Sequence, residues 1–299
     1  MTEEYAKLVQ GFVDWLTAKG YKPRGIDEKA RASRQYLEYL EAANGDASVA
    51  TMRDAEGFRE HMRMARGLDA KTINIRIAYL GLFYRYLVGA GKAVKNPFKD
   101  LERMQESERI PRNILTIEQM GKLIGAIAVA NVSDFEFKTL VELLYSSGAR
   151  ISEIEHLKMA DVDFDAGCIT IRDDKSRNDR KLPLTEIARE LLMLYCAHVR
   201  FGEYVFLDSP GRLLGRRVNR RLRALCAQLG LPPLSCHGIR HTTATHLLKK
   251  GADIREVQEI LGHRHIKDTE AYLRIFPDDL RELIERRHPR EAGKDEADR

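Results

Sequence analysis

Apolar positions recur at helical spacing from the start of the chain. Tyr5, Leu8, Val9, Phe12, Val13 and Leu16 predict an amphipathic helix over residues 3–19, ended by Gly20. A second helix follows Pro23. Residues 51–66 and 69–90 continue the pattern, the latter with Ile73, Ile77, Leu80, Phe83, Tyr84 and Leu87 behind an Asp69 cap. The first hundred residues therefore read as all-helical. Between 95 and 113 the periodicity fades, with Asn96-Pro97 and Pro111 bracketing the charged stretch Lys99 to Arg112. That stretch is the expected linker, residues 99–113, behind a first domain of residues 1–98. Thr116 with Gln119 three residues on forms a capping box that opens the second domain, expected over 114–290.

The second domain starts with helices near 117–129 and 134–147. β-Branched residues then concentrate at Cys168-Ile169-Thr170-Ile171, which predicts a short strand. Polar residues Asp173 to Asp179 make a turn, and Lys181-Leu182-Pro183-Leu184 returns as the partner strand, which places Lys175 in the hairpin connection. Tyr204 to Leu207 is a candidate third strand. Helices resume over 185–199, 215–229, 237–250 and 254–261, the last with Asp253 and Glu256 as cap and capping-box partner and Gly262 as its stop. Tyr272 lies on the next short segment. Residues 291–299 have no apolar face and are expected to be disordered. The expected fold class is mainly α with a small antiparallel β-sheet.

Composition narrows the class. At 299 residues, 43% hydrophobic and 32% charged, the chain is long enough for two soluble domains and unlike a disordered protein. Met1-Thr2-Glu3-Glu4-Tyr5 has neither a basic lead nor an apolar run behind it, and no apolar stretch approaches the ~18 residues that span a bilayer. A cytoplasmic location without membrane association is expected. The four cysteines, Cys168, Cys196, Cys226 and Cys236, form no Cys-x-x-Cys pair, so neither a disulfide framework nor a zinc knuckle is suggested. A net charge of +5 favours nucleic acid only where the basic residues cluster.

They do cluster. Arg212, Arg216, Arg217, Arg220, Arg221 and Arg223 surround Val218, Leu222 and Leu225, which makes one helix basic on one side and apolar on the other. Elsewhere, His237 and Arg240 stand three residues apart at a helix start, so both side chains face one ligand. A guanidinium, an imidazole and exposed helix-start amides suit a phosphate oxygen better than a metal. Arg150 sits at the corner after Gly148, where it could clamp a phosphodiester from the other side or simply pair with Glu153. A metal site built from His237, His241, His246, His263 and His265 is disfavoured. No acidic residue completes a His-Glu-x-x-His pattern, and Arg240 would repel a cation.

The order Arg150, Lys175, His237-x-x-Arg240, His263, Tyr272 resembles the tyrosine recombinase (phage integrase) family. Leu143 to Glu153 is similar to its first arginine box, His237 to Leu248 to its second, and Leu261-Gly262-His263 followed by Tyr272 to its third. The stretch from Thr72 to Arg76, that from Phe83 to Leu87, and Asn96-Pro97 resemble the core-binding domain of the Xer branch, so the likeness covers nearly the whole chain. Two features depart from the family pattern. The catalytic lysine lacks its usual flanking glycines, which leaves Lys181 as an alternative to Lys175, and His265 adds a second imidazole near His263.

The resemblance implies an all-helical SAM-like core-binding domain and an α+β catalytic domain that together clamp DNA. It implies a Tyr272 nucleophile that forms a 3′-phosphotyrosyl bond, with strand exchange passing through a Holliday junction. Arg150, Arg240 and His263 would hold the phosphate and Lys175 would protonate the leaving 5′-oxygen. His237 would accept the phenol proton or orient the phosphate, two roles the sequence does not separate. Neither a cofactor nor a metal ion is implied. The expected partner is a double-stranded DNA recombination site, bound by a homo-tetramer spanning two sites, with or without a second recombinase. DNA contacts are expected from Arg216, Arg217, Arg220 and Arg221, and from Lys71, Thr72, Asn74 and Arg76 in the first domain. Leu280, Leu283 and Ile284 share a helical face that docks on a neighbour or on its own domain. The competing functions are type IB topoisomerase-like relaxation and a catalytically silent DNA-binding regulator.

Overall fold

A computed structural model describes residues 2–106, 113–172, 179–199, 202–206, 214–263, 265–266, 269–270 and 272. The chain divides into two units, 1–108 and 109–299. Among the described residues the first holds four helices: α1 (Glu3–Ala18), α2 (Pro23–Ala42), α3 (Met52–Met64) and α4 (Ala70–Gly89). The caps follow the sequence signals. Asp69 accepts from the Thr72 amide at 2.9 Å, and Pro23 occupies the first turn of α2, where its missing N–H costs nothing. The periodic apolar positions meet in one core. Tyr36 is its centre, with its ring edge-on to Phe58, Tyr84 and Phe98 at centroid distances of 5.1, 5.9 and 5.0 Å.

The first unit runs past the expected boundary at residue 98. Leu101 is buried in its core and Met104 packs against it. Asn74 fixes this extension: its Nδ2 donates to the Met104 carbonyl at 2.9 Å and to Glu106 at 2.8 Å, and its Oδ1 accepts from the Met104 amide at 2.9 Å. A charged stretch without periodicity looks like a linker in sequence, but here one buried amide side chain supplies its backbone partners.

The second unit comprises α5 (Ile117–Gly125), α6 (Val132–Ser147), α7 (Ile151–Glu155), β1 (Val162–Asp163), β2 (Cys168–Ile171), β3 (Arg180–Pro183), α8 (Glu186–His198), α9 (Leu214–Leu229), α10 (Cys236–Lys249) and α11 (Ile254–Leu261). The expected capping boxes form, with Thr116 and Gln119 exchanging bonds of 3.1 and 2.9 Å. The strands make one antiparallel sheet of order β1-β2-β3, with Ile169 opposite Leu182 and Ile171 opposite Arg180. Among the described residues its third member is β1; of the candidate strand Tyr204 to Leu207, Leu207 lies outside the described residues. Tyr204 forms only an isolated bridge to Lys158. At the middle lies α10, buried on nearly every side. Several of its buried polar side chains find partners on other segments: Thr243 donates to the Tyr145 carbonyl at 2.9 Å, and His246 lies between the Tyr145 hydroxyl (2.8 Å) and the Leu115 carbonyl (2.9 Å).

Candidate active site

Two helix ends make the site. Helix α6 stops at Gly148, whose φ of 61° is left-handed and favours glycine, and α11 stops at Gly262 in the same conformation, φ 60°. Helix C-termini leave carbonyls without intrahelical partners and carry partial negative charge. Arg240, from the first turns of α10, satisfies one at each end. Its Nη1 donates to the Gly148 carbonyl at 2.8 Å and its Nη2 to the Leu261 carbonyl at 2.5 Å. The side chain is only 2% exposed. Burial, then the neighbouring Arg150, lowers its pKa to about 10, which still leaves it charged at neutral pH. These two bonds use two of a guanidinium's five N–H donors.

Arg150 begins α7 directly after the α6 corner. Its backbone N–H donates to Glu153 Oε2 at 2.7 Å, its Nη1 to Glu153 Oε1 at 2.9 Å, and its Nη2 reaches the Gly262 carbonyl at 3.4 Å. Both arginines therefore meet at the end of α11, Arg240 alone also bonding the end of α6, and pairing with Glu153 orients Arg150 without excluding it from the site. Burial pushes the Glu153 carboxyl up, but bonds from Arg180 and Arg150 prevail and hold it below the usual carboxylate range.

His237 stands one turn before Arg240 on α10 and is exposed. Although part of the residue reaches solvent, desolvation of the ring by the atoms packed around it, then Arg240 and Arg150, lowers its pKa, which favours the neutral form that can accept a proton. His263 directly follows Gly262, and its Nδ1 lies 2.9 Å from the Thr269 hydroxyl. Its ring is parallel to that of Tyr272, at 8° and 6.5 Å between centroids.

Tyr272 is 2% exposed and packs with Ala244, Val257 and Leu261. Its hydroxyl lies 2.7 Å from His241 Nδ1. His241 is in turn edge-on to His237 at 4.2 Å. Burial first, then His237, Arg240 and His263, lowers the His241 pKa to about 4, so the ring is neutral and Tyr272 is the donor. The structure thus brings Arg150, His237, Arg240, His263 and Tyr272 into one cluster and adds Glu153, Arg180 and His241. His241 was visible as a histidine four residues after His237, where it read as a spare metal ligand. Among the described residues no group of three His, Cys, Asp or Glu side chains is gathered to hold a metal ion.

Lys175 lies outside the described residues. Its alternative, Lys181, can be placed: strand alternation puts Arg180 and buried Leu182 on the inner face of β3 and exposed Lys181 on the outer one. Lys181 there lines an open depression of about 620 Å³ with Asp161, Asp163, Cys168 and Thr170, whereas Arg180 beside it bonds Glu153. Lys181 therefore faces away from the cluster.

Of the expected DNA contacts, Arg216 and Arg220 are exposed on α9. Arg217 and Arg221 turn toward α6, pairing with Glu136 at 2.8 Å and Asp134 at 2.5 Å. Arg221 also lies over the Phe137 ring, 4.2 Å from its centroid. In the first unit Lys71 is exposed, Thr72 is half-buried beside the α4 cap, and Arg76 donates to Gln35 at 2.8 Å. Asn74 is withdrawn from the contact set: at 6% exposure, with its amide spent on Met104 and Glu106, it holds the chain's own backbone.

The phage integrase family model matches residues 113–278. The chain is 29% identical over 297 residues to tyrosine recombinase XerD of Listeria monocytogenes, covering 95% of this chain and 99% of that protein. It is 33% identical over 237 residues to tyrosine recombinase XerC of Oceanobacillus iheyensis, covering 76% and 77%. Among solved structures, the Tn1549 transposon integrase in complex with a circular intermediate DNA matches with a TM-score of 0.71 at 20% identity, over 89% of this chain and 94% of that one. The crystal structure of XerA recombinase matches with a TM-score of 0.51 at 25% identity, over 95% and 99%. By sequence and fold together, the chain belongs to the phage integrase family of tyrosine recombinases.

Proposed function

We propose that this protein is a site-specific DNA recombinase that cuts and rejoins DNA strands with Tyr272 as nucleophile. The observation that carries the reading is the convergence of Arg150 and Arg240 on the end of α11, where Arg240 also bonds the Gly148 end of α6, with His237 and His263 beside them. Two guanidiniums fixed by helix carbonyls form a preorganised positive site for the non-bridging oxygens of a phosphodiester, where charge gathers as the pentavalent transition state forms. The Tyr272 oxygen attacks phosphorus, the bond from phosphorus to the 5′-oxygen breaks, and a 3′-phosphotyrosyl bond remains. Lys175 gives a proton to the departing oxygen, and neutral His237 takes the phenol proton. The phosphotyrosyl bond keeps the phosphodiester's energy, so a 5′-hydroxyl from a second duplex reverses it, and two such exchanges pass through a Holliday junction.

For attack, the Tyr272 hydroxyl must leave His241 and turn toward the phosphate. DNA enters across the face carrying Arg216 and Arg220, with Lys71, Thr72 and Arg76 as contacts from the first unit. The active assembly is a homo-tetramer on two recombination sites, with or without a second recombinase. The protein acts in the cytoplasm; among the described residues no helix is long and apolar enough to cross a membrane. Relaxation without exchange, or silent DNA binding, is not favoured by the recombinase relatives. Covalent capture of genomic fragments on the protein would identify its site. Two labelled duplexes carrying that site should then yield recombinant junctions; relaxation of a supercoiled plasmid with no junctions would overturn the reading.

A further inference from the structure

Arg180 stands in the cluster through Glu153 and has no step of the strand-cleavage chemistry assigned to it, yet it touches three parts of the site. It opens β3, immediately after the hairpin connection that carries Lys175. Its Nη2 donates to Glu153 Oε2 at 2.8 Å, the carboxylate that orients Arg150 through its other oxygen. Its Nε donates to the Ile260 carbonyl in the last turn of α11 at 3.3 Å. Its guanidinium also lies against Gly262, where an added Cβ would fall 3.0 Å from Cζ and Nη1. Glycine at 262 thus has two causes, its left-handed backbone and the space Arg180 occupies.

From this geometry we infer that Arg180 is a positioning residue for strand cleavage. It holds Glu153 in the orientation that aims Arg150, and it ties the end of α11, which presents His263, to the strand behind Lys175. Stability alone does not account for an arginine here, because a buried ion pair is roughly neutral against well-packed apolar residues. An apolar side chain could fill the space but could not bond a carboxylate and a backbone carbonyl on separate elements. Arg180 also stands in a like-charged group. Among the described residues acting on Arg240, Arg150 and Arg180 oppose its charge and Glu153 supports it. Three guanidiniums around one carboxylate leave a surplus of positive charge that an entering phosphodiester neutralises.

The inference rests on the active-site reading above, and one set of variants separates the two. The full-length protein is assayed on a nicked suicide duplex carrying its captured site, with the single-turnover cleavage rate, the reacting fraction and DNA affinity measured separately. Arg180→Gln should slow cleavage on the order of a hundredfold, the scale of a small misplacement of a catalytic group, while leaving affinity within about twofold. Arg180→Lys, which keeps the charge but cannot make both bonds, should fall between. Because Arg180 acts through Glu153, adding Arg180→Gln to Glu153→Gln should slow cleavage only about threefold further. A purely structural role would lower the reacting fraction and leave the rate constant unchanged. That result, or effects that multiply in the double variant, would overturn the inference. If Arg180→Gln does not fold, Arg180→Lys decides: a wild-type rate constant refutes the role. Arg150→Ala tests the underlying reading. If it cleaves normally, the active-site assignment has failed; if it is inactive while Arg180→Gln is normal, only the role of Arg180 has failed.

Discussion

Replacing His241 by asparagine should flatten the pH dependence of the protein's stability. His241 lies between the Tyr272 hydroxyl, at 2.7 Å, and the His237 ring, and its pKa falls to about 4 in the folded state. In the unfolded chain a histidine titrates near ~6.5. The unfolded state therefore binds more protons between those values. The depressed folded pKa costs nothing at pH 7.5, begins to destabilise as pH falls through the unfolded pKa, and levels off only below about 4. A gap of that size corresponds to about 2 kcal/mol lost between pH 7.5 and pH 5 and about 3 kcal/mol by pH 4. Asparagine places an oxygen near the position of Nδ1, so it can accept from Tyr272 and does not titrate. The assay is urea unfolding followed by far-UV circular dichroism at pH 7.5, 6 and 5. The variant should gain about 2 kcal/mol relative to wild type as pH falls from 7.5 to 5. A constant difference between the two proteins across that range would refute the reasoning and show that His241 is not held neutral by its surroundings.

The remaining predictions concern the leaving group and the DNA face. Lys175→Ala should slow cleavage of ordinary DNA severely but be rescued by a 5′-bridging phosphorothiolate, whose leaving group needs no proton; Lys181→Ala, on the outer face of β3, should show neither effect. Arg220→Ala should reduce the steepness of the salt dependence of DNA binding by about one unit on cognate and unrelated duplexes alike, the signature of one lost phosphate contact, and an unchanged slope would place DNA elsewhere. Arg221→Ala should instead cost about 1 kcal/mol of stability, because it removes a half-buried pair with Asp134 and the guanidinium's contact with the Phe137 ring, and a thermal melt would show it.

Local signals were legible in sequence wherever they had a local cause. Asp69, Thr116 and Asp253 cap the helices their spacing indicated, and the Cys168–Ile171 hairpin forms with Lys181 and Leu182 in register. What sequence periodicity missed depends on contacts between distant segments. Residues 99–106 look like linker until the buried amide of Asn74, about thirty positions earlier, bonds Met104 and Glu106. Arg217 and Arg221 look like a free basic stripe until Glu136 and Asp134 arrive from α6, about eighty positions away. In the active site, the arginines and histidines were marked by residue type and order. Glu153 was visible as a competing partner for Arg150, and the structure shows that pairing with it and lining the site are compatible. Arg180 had no signal beyond strand alternation, since only the fold brings it to Glu153 and Ile260.

The central claim is that Tyr272 is the nucleophile, resting on His241 in the structure and freed to attack DNA. Its most direct test is trapping on a nicked suicide duplex that carries the captured site. Wild-type protein should form a covalent adduct that survives denaturation, and peptide mapping should place the DNA on Tyr272. Tyr272→Phe, which lacks only the hydroxyl, should bind the duplex as tightly and form no adduct. An adduct that persists in the phenylalanine variant, or DNA mapped to another tyrosine, would contradict the account.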